Sequence, residues 1–237
     1  MEETKRERDN AGSGRDGAGK TLIISGGAIE PEFAKSVIQE HDFKYIIGAD
    51  AGLRFLHQEN IEPTHIVGDF DSLEQEILEY YTRDPKVTIR IFNPIKDQTD
   101  TEIALRLGIE LNSSEIWLLG GNGARVDHTI SNIQSLMIPL KAGIPCVMAD
   151  AHNQIRLLRE GTRIRKDEMF GTYLSFFPLG SAVRGLTITG VKYPLTNFDM
   201  KPDDSLGVSN EILDEEAVIT FRRGVLIMIM SKDGEQF

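Results

Sequence analysis

Three short apolar runs in this chain lead into aspartate. Tyr45–Ala49 (YIIGA) ends at Asp50, within Gly48-Ala-Asp-Ala-Gly52. His65–Val67 is followed by Gly68-Asp69-Phe70-Asp71-Ser72, and Thr88–Phe92 leads through Asn93-Pro94-Ile95-Lys96 to Asp97-Gln98-Thr99-Asp100. In an extended segment Asp69 and Asp71 project to one side, because side chains alternate along a strand. Two carboxylates held together repel unless a proton or a cation intervenes. Hard oxygen ligands suit Mg²⁺, which takes one or two carboxylates, waters and substrate phosphates. An Asp-x-Asp also fits plain turn or N-cap residues ahead of a helix starting near Leu73. Thr99-x-x-Glu102 reads as a capping box, which puts Asp100 in the first turn of a helix. There it either joins the acidic face or complements the helix dipole. Three strand ends that each finish in aspartate together favour a metal-phosphate site.

A glycine run supplies a possible phosphate cradle. Gly120-Gly121-Asn122-Gly123-Ala124-Arg125 follows the apolar run Glu115–Leu119 and precedes a helical pattern. Glycines let backbone amides approach a phosphate chain, and a helix N-terminus favours negative charge. Arg125 can grip a phosphate through two parallel bonds, and Asp127 with His128 can act as a capping or positioning pair; a plain glycine turn is the alternative. Gly14–Thr21 also fits the P-loop pattern G-x-x-x-x-G-K-S/T. A P-loop needs a strand before the glycines and a helix after them, whereas here polar text precedes and the strand-like Thr21–Ser25 (TLIIS) follows, so this match is discounted.

The elements that must position these residues follow from periodicity. Strands are expected at Thr21–Ser25, Tyr45–Ala49, His65–Gly68, Thr88–Phe92, Glu115–Leu119 and Pro145–Ala149. Helices are expected near Pro31–Glu40, Gly52–Glu59, Leu73–Tyr81, Thr101–Leu111 and His128–Met137. Ile103, Leu107 and Leu111 repeat along one helical face. Strand-then-helix alternation implies a mostly parallel sheet with helices on both faces, and ligands bind such sheets beyond the carboxyl ends of the strands. After Asp150 the pattern changes to glycine-punctuated strand-like runs at Ile155–Ile164, Phe170–Phe177, Leu186–Val191 and Ala217–Met230, an all-β sandwich or barrel. The expected organisation is therefore a disordered tail over residues 1–20, an α/β domain over 21–150 and a β-sandwich over 151–237.

Composition narrows the partners. The 237 residues carry 26 Lys/Arg against 37 Asp/Glu, a formal charge of −11. The first twenty residues hold five of each sign, so the surplus lies entirely in the rest. An acidic chain is a poor match for a nucleic-acid backbone. No apolar run approaches the ~20 residues a membrane span needs, and no apolar leader opens the chain, so a cytoplasmic location is expected. The single cysteine, Cys146, excludes an internal disulfide and a Cys-rich metal motif; in a buried strand it is an inert thiol.

Taken in order, these motifs resemble the thiamine pyrophosphokinase (thiamin diphosphokinase) family. The resemblance rests on Asp50-Ala-Gly52, Gly68-Asp69-Phe70-Asp71-Ser72, Lys96-Asp97-Gln98-Thr99-Asp100-Thr101-Glu102 and Gly120–His128 with Asn132. Gly207-Val208-Ser209-Asn210-Glu211 resembles the segment with which that family contacts thiamine. The implied reaction is ATP + thiamine → AMP + thiamine diphosphate. By resemblance, Asp69, Asp71 and Asp100 bind Mg²⁺, and Asp50 beside them is a further ligand or orients the attacking hydroxyl. Asp50, Asp71 and Asp100 form the catalytic set. Gln98 and Thr99 reach phosphates or thiamine; Asn122, Arg125, Asp127 and His128 hold the nucleotide; Gln98, Ser209 and Asn210 meet thiamine. The resemblance also implies a homodimer with its site between subunits. Animal members stack thiamine on a tryptophan downstream of the Ser-Asn pair, but the only tryptophan here is Trp117, in an expected core strand. Two rival readings exist: a haloacid-dehalogenase-type phosphatase, which also uses Asp-x-Asp after a strand, and a non-catalytic thiamine- or nucleotide-binding regulator.

Overall fold

A computed structural model describes residues 18–71, 73–91 and 98–234. Residues 1–17 of the expected tail, together with Lys96 and Asp97, lie outside the described residues. Lys20 and Thr21, the end of the P-loop look-alike, are the first two residues of a strand. Thr21 is buried there against Ser113, hydroxyl to hydroxyl at 2.6 Å, a placement that no phosphate-binding turn permits.

The chain opens with strand and helix in alternation: β1 (Lys20–Ile24), α1 (Pro31–Glu40), β2 (Phe43–Ala49), α2 (Gly52–Gln58), β3 (His65–Gly68), α3 (Gln75–Thr82), β4 (Thr88–Ile91), α4 (Asp100–Glu110), β5 (Ile116–Leu119), α5 (Val126–Ser135), α6 (Met137–Lys141) and β6 (Cys146–Ala149). It ends with β7 (Asn153–Leu158), β8 (Thr162–Arg165), β9 (Tyr173–Pro178), β10 (Val183–Thr189), β11 (Leu195–Met200), β12 (Glu216–Thr220) and β13 (Leu226–Ser231). Nine strands form one sheet in the order β4-β3-β2-β1-β5-β6-β7-β13-β9, parallel from β4 to β6 and antiparallel beyond. Four more form a second sheet, β11-β10-β12-β8.

Helices α1, α2 and α3 cover one face of the parallel part through Ala34, Val37, Leu53, Leu56 and Tyr81. The other face is covered by α4, α5 and α6 through Ile103, Leu107, Ile133 and Leu140, with Leu136 between the last two helices. A third core lies between the antiparallel end of the large sheet and the small sheet, around Phe176, Leu186, Met200 and Ile219. Strand β13 serves two cores by simple alternation: Leu226, Met228 and Met230 enter the sandwich core, while Ile227 and Ile229 pack against the helical one.

Several expected boundaries move, each for a local reason. The runs Ile155–Ile164 and Ala217–Met230 each divide into two strands that belong to different sheets, β7 with β8 and β12 with β13. Strand β11 escaped the periodicity because Asn197 adopts φ 48° and the pairing with β10 slips, which breaks the alternation. Helix α5 stops at Ser135 and α6 starts at Met137. Pro139 cannot donate to the Ser135 carbonyl and its ring would clash with it, so a continuous helix is not available. Cys146 begins β6 half-buried, and desolvation there pushes its thiol pKa up.

Candidate active site

The parallel strand order reverses direction at β1, which has β2 on one side and β5 on the other. Such a switch point opens a crevice at the carboxyl ends of the two diverging strands. A cleft of about 600 Å³ lies there, lined by Ser25–Ala28 after β1, Ala49–Ala51 after β2, Thr99–Thr101 at the start of α4, Gly120–Arg125 after β5, and His128 and Asn132 on α5.

Beside Asp50 at the edge of the cleft, an acidic cluster is built from two tight turns. Asp50 takes φ 45° at the end of β2, its amide donating to Val67 at 2.9 Å and so extending the pairing with β3. The segment after β3 is not the extended run that the sequence reading assumed. Phe70 sits at φ 58° with its ring buried at 5% exposure in the core under α1–α3. A left-handed phenylalanine is an outlier that costs on the order of 1–3 kcal/mol. Burial of the ring offsets that cost and leaves the two flanking aspartates outside the core. The Asp71 amide donates to the Asp69 carboxylate at 3.3 Å. One carboxylate oxygen from each of Asp50, Asp69 and Asp71 lies within 4.8 Å of the others. Capping does not explain the pair, because α3 starts at Gln75 with Glu74 as its N-cap.

Asp100 is not one of these three. It lies at the first position of α4 and lines the cleft with Asp50. The cap is the expected one: Thr99 Oγ1 accepts from the Glu102 amide at 3.2 Å. The Glu102 carboxylate itself is engaged by Arg106 at 2.7 Å. Gln98 is exposed just before the cap and Thr99 lines the cleft. Ser25 and Thr101 share a buried 2.6 Å hydroxyl contact, which fixes the start of α4 against the end of β1.

The opposite wall is backbone. Carbonyls of Gly120, Gly121 and Asn122 accept from the Gly27 amide (2.9 Å), the Asn132 side chain (2.8 Å) and the Ala28 amide (2.8 Å) respectively. In a trans peptide the N–H points opposite to the C=O. The amides of Gly121, Asn122 and Gly123 are thereby turned away from those donors, an arrangement suited to anions. Gly120 holds φ 69°, and a Cβ there would meet the Ser25 carbonyl oxygen at about 2.3 Å. Arg125 is exposed and donates twice to Asp127, at 3.2 and 2.6 Å, which holds the Asp127 carboxyl below its usual range. Asp127 also accepts from the His128 amide at 3.0 Å. Asn122, Arg125 and His128 line the cleft; Asp127 reaches it through Arg125.

Ser209 and Asn210 lie in the β-region, away from this lining. Ser209 takes φ 53°, its amide held by Ser175 at 2.9 Å. Asn210 is buried, with its carboxamide turned inward onto Tyr193 (2.9 and 2.8 Å) and the Glu211 amide (3.0 Å). Trp117 is buried in β5 beside His41, at 4.4 Å between ring centroids. The loop Ser25-Gly26-Gly27-Ala28 and the residue Asp150, which bonds to Asn122, were not singled out from the sequence. The signal available was a second glycine pair directly after an apolar strand, matching Gly120-Gly121.

Comparison with known proteins bears on this arrangement. Residues 37–148 match the family model of the thiamin pyrophosphokinase catalytic domain, and residues 161–226 match that of the thiamin pyrophosphokinase vitamin B1 binding domain. Thiamine pyrophosphokinase of Bacillus subtilis (strain 168) is 36% identical over 189 residues, which span 79% of this chain and 87% of that protein. The chain belongs to the thiamin pyrophosphokinase family. The crystal structure of the Bacillus subtilis thiamine pyrophosphokinase superposes with a TM-score of 0.79 at 32% identity, covering 91% of this chain and all of that one. That of the Geobacillus thermodenitrificans thiamin pyrophosphokinase gives 0.77 at 28% identity, covering 92% and 100%. Within the matched catalytic stretch of this thiamin pyrophosphokinase family member fall the three clustered carboxylates, Asp100 and the glycine loop; Ser209 and Asn210 fall within the other.

Proposed function

We propose that this chain transfers the pyrophosphoryl group of ATP to the hydroxyl of thiamine, giving AMP and thiamine diphosphate. The observation that carries the reading is that Asp50, one of three clustered carboxylates, lines the same cleft of a family member as Asp100 and a backbone anion cradle. The thiamine hydroxyl oxygen forms a bond to the β-phosphorus and loses its proton to solvent, the bond from that phosphorus to the oxygen bridging it to the α-phosphorus breaks, and AMP leaves with that oxygen. Such transfer depends on positioning and charge compensation more than on covalent catalysis.

The donor set fits Mg²⁺. Asp50, Asp69 and Asp71 offer only carboxylate oxygens, close enough together to share one ion, and their charges would otherwise repel the polyphosphate. The family resemblance gives Asp69, Asp71 and Asp100 as ligands; the clustering favours Asp50 beside Asp69 and Asp71, as a further ligand or as the group that orients the hydroxyl, with Asp100 facing the same cleft as Asp50. Bound there, Mg²⁺ supplies neutralisation of the triphosphate charge. The Gly121–Gly123 amides and Asn122 receive the phosphates. Arg125 exchanges Asp127 for phosphate, and Thr99, Gln98 and His128 border the nucleotide. In the β-region Ser209 meets thiamine and Asn210, its carboxamide turned onto Tyr193 and Glu211, serves thiamine by holding that loop, so residues 21–150 handle nucleotide and metal and residues 151–237 handle thiamine.

A homodimer with its site between subunits is part of this proposal. Val126 (67% exposed) and Ile130 (52%) lie one turn apart on α5 beside the cleft, while Leu206 (58%), Val208 (42%) and Leu213 (58%) flank Ser209 in the sequence. Two apolar patches, one flanking each half of the site, support a partner that covers both. Ile130→Glu is expected to shift sedimentation from dimer to monomer and to reduce activity at least ~10-fold at low protein concentration; an unchanged dimer places the interface elsewhere. No helix among the described residues is long and apolar enough to cross a membrane, and a cytoplasmic, nucleic-acid-independent enzyme is the proposed setting.

The deciding experiment incubates the protein with ATP, Mg²⁺ and thiamine and follows both products. AMP and thiamine diphosphate in equal amounts are expected. ADP or free phosphate in their place would refute the pyrophosphokinase reading in favour of a kinase or phosphatase.

A further inference from the structure

Asp150 follows β6 and lies outside both family-matched stretches, 37–148 and 161–226. Its Oδ1 accepts from the amides of His152 (2.8 Å) and Asn153 (2.7 Å) and from the Asn153 side chain (3.0 Å). Its own amide donates to the Asn153 carbonyl at 2.9 Å. The carboxylate is thus locked into the β6–β7 turn by three donors on one oxygen. The other oxygen, Oδ2, accepts from the Asn122 side chain and from Asn153 at 3.2 Å. Charge-assisted bonds of this kind are about twice as strong as neutral ones.

Asn122 is the central residue of the cleft's glycine loop, and the rest of that loop is held from other directions. Asn132 holds the Gly121 carbonyl from α5, and Gly27 and Ala28 hold the Gly120 and Asn122 carbonyls from the loop after β1. Those three bonds fix peptide planes. The Asp150 bond is the one that fixes the Asn122 side chain, from the antiparallel side of the sheet. Glycines on both sides of Asn122 leave it little local stiffness of its own.

We propose that Asp150 is a positioning residue for nucleotide binding: by holding the Asn122 carboxamide against the β6–β7 turn it sets the Gly120–Gly123 loop in the shape that receives the ATP phosphates. The proposal rests on the nucleotide-binding reading of the cleft given above. Asp150 touches no phosphate itself; it acts through Asn122.

The test is a double-mutant cycle on ATP affinity, measured by calorimetry with Mg²⁺ and without thiamine, so that it does not depend on turnover. Asp150→Ala and Asn122→Ala are each expected to weaken ATP binding about 10-fold, and the double variant also about 10-fold rather than 100-fold, since residues that act as one unit are not additive. In the coupled assay KM for ATP rises by the same factor while KM for thiamine stays within twofold. Asp150→Asn, which keeps an oxygen for the turn amides, serves if the alanine variant does not fold; it is expected to bind ATP more tightly than Asp150→Ala but less tightly than the parent. Additive losses in the double variant, unchanged ATP affinity in Asp150→Ala, or equal shifts in both KM values would overturn the proposal. ATP binding by the parent without AMP formation would instead refute the reaction assigned to the cleft and leave the cycle interpretable.

Discussion

Asp71→Asn is expected to lower kcat by at least ~10²-fold, which corresponds to about 2.7 kcal/mol of lost transition-state stabilisation. Asparagine keeps the size of the side chain and removes its charge. Asp71 is exposed at the tip of the Gly68–Asp71 turn, and its backbone bond to Asp69 does not involve its own carboxylate. The fold should therefore be indifferent, and an unchanged melting temperature checks that. The chemistry should not be, because Asp71 supplies one of three carboxylate oxygens grouped within 4.8 Å. A bound metal's stabilisation of transferring phosphoryl charge is worth several kcal/mol. Asp100→Asn, on the neighbouring wall, is expected to cost a similar factor. Turnover of Asp71→Asn close to the parent's at saturating Mg²⁺ would remove the metal role from this turn. Chelation of Mg²⁺ in the parent should abolish activity and leave the melting temperature within a few degrees.

Most of this site was readable in the sequence because its parts occupy the ends of strongly patterned elements. His65–Gly68 and Pro31–Glu40 were placed to the residue, and the Thr99 cap formed as its spacing predicts. What periodicity could not carry was the conformation between elements. Asp69 and Asp71 converge through a left-handed Phe70 and not through strand alternation, so the same convergence was expected for a different physical cause. Asp50 and not Asp100 completes the 4.8 Å group, since that depends on Asp50 turning back at φ 45° across the end of β3. The Asn210 carboxamide is spent on its own loop, a fact that lies in tertiary contacts with Tyr193 seventeen residues away. Sheet membership was equally hidden. Strands β12 and β13 read as one apolar run, yet Gly224 at φ 117° separates them and they join different sheets. Local pattern sets the face a residue presents; which partner strand it meets is decided by closure of the whole sandwich.

The second large effect is expected at a residue that no motif marked. Gly27→Ala should reduce ATP binding by more than ~10²-fold and also lower stability. An added Cβ would lie about 2.1 Å from the Asn122 carbonyl oxygen and 2.4 Å from that of Gly120. Both are backbone atoms, and both already accept bonds from this loop, from Ala28 and from Gly27 itself. Neither can swing aside as a side-chain tip would, so the two loops must separate and the bonds that orient the Gly121–Gly123 amides stretch or break. Inserting a methylene into packed surroundings costs about 1–3 kcal/mol, and at this chain length each kcal/mol lowers Tm by roughly 2–4 °C. Gly123→Ala is the internal control. It belongs to the same glycine run, but its Cβ would come no closer than 3.4 Å to the Gly27 Cα, an ordinary contact. Its Tm should stay within ~3 °C of the parent, while Gly27→Ala falls at least twice as far. If the two variants melt together and bind ATP alike, the close approach of the β1 and β5 loops is not what shapes the anion cradle. If they separate as expected, the cradle is set by backbone packing at the switch point of the sheet, and its glycines are needed for space as much as for contact with phosphate.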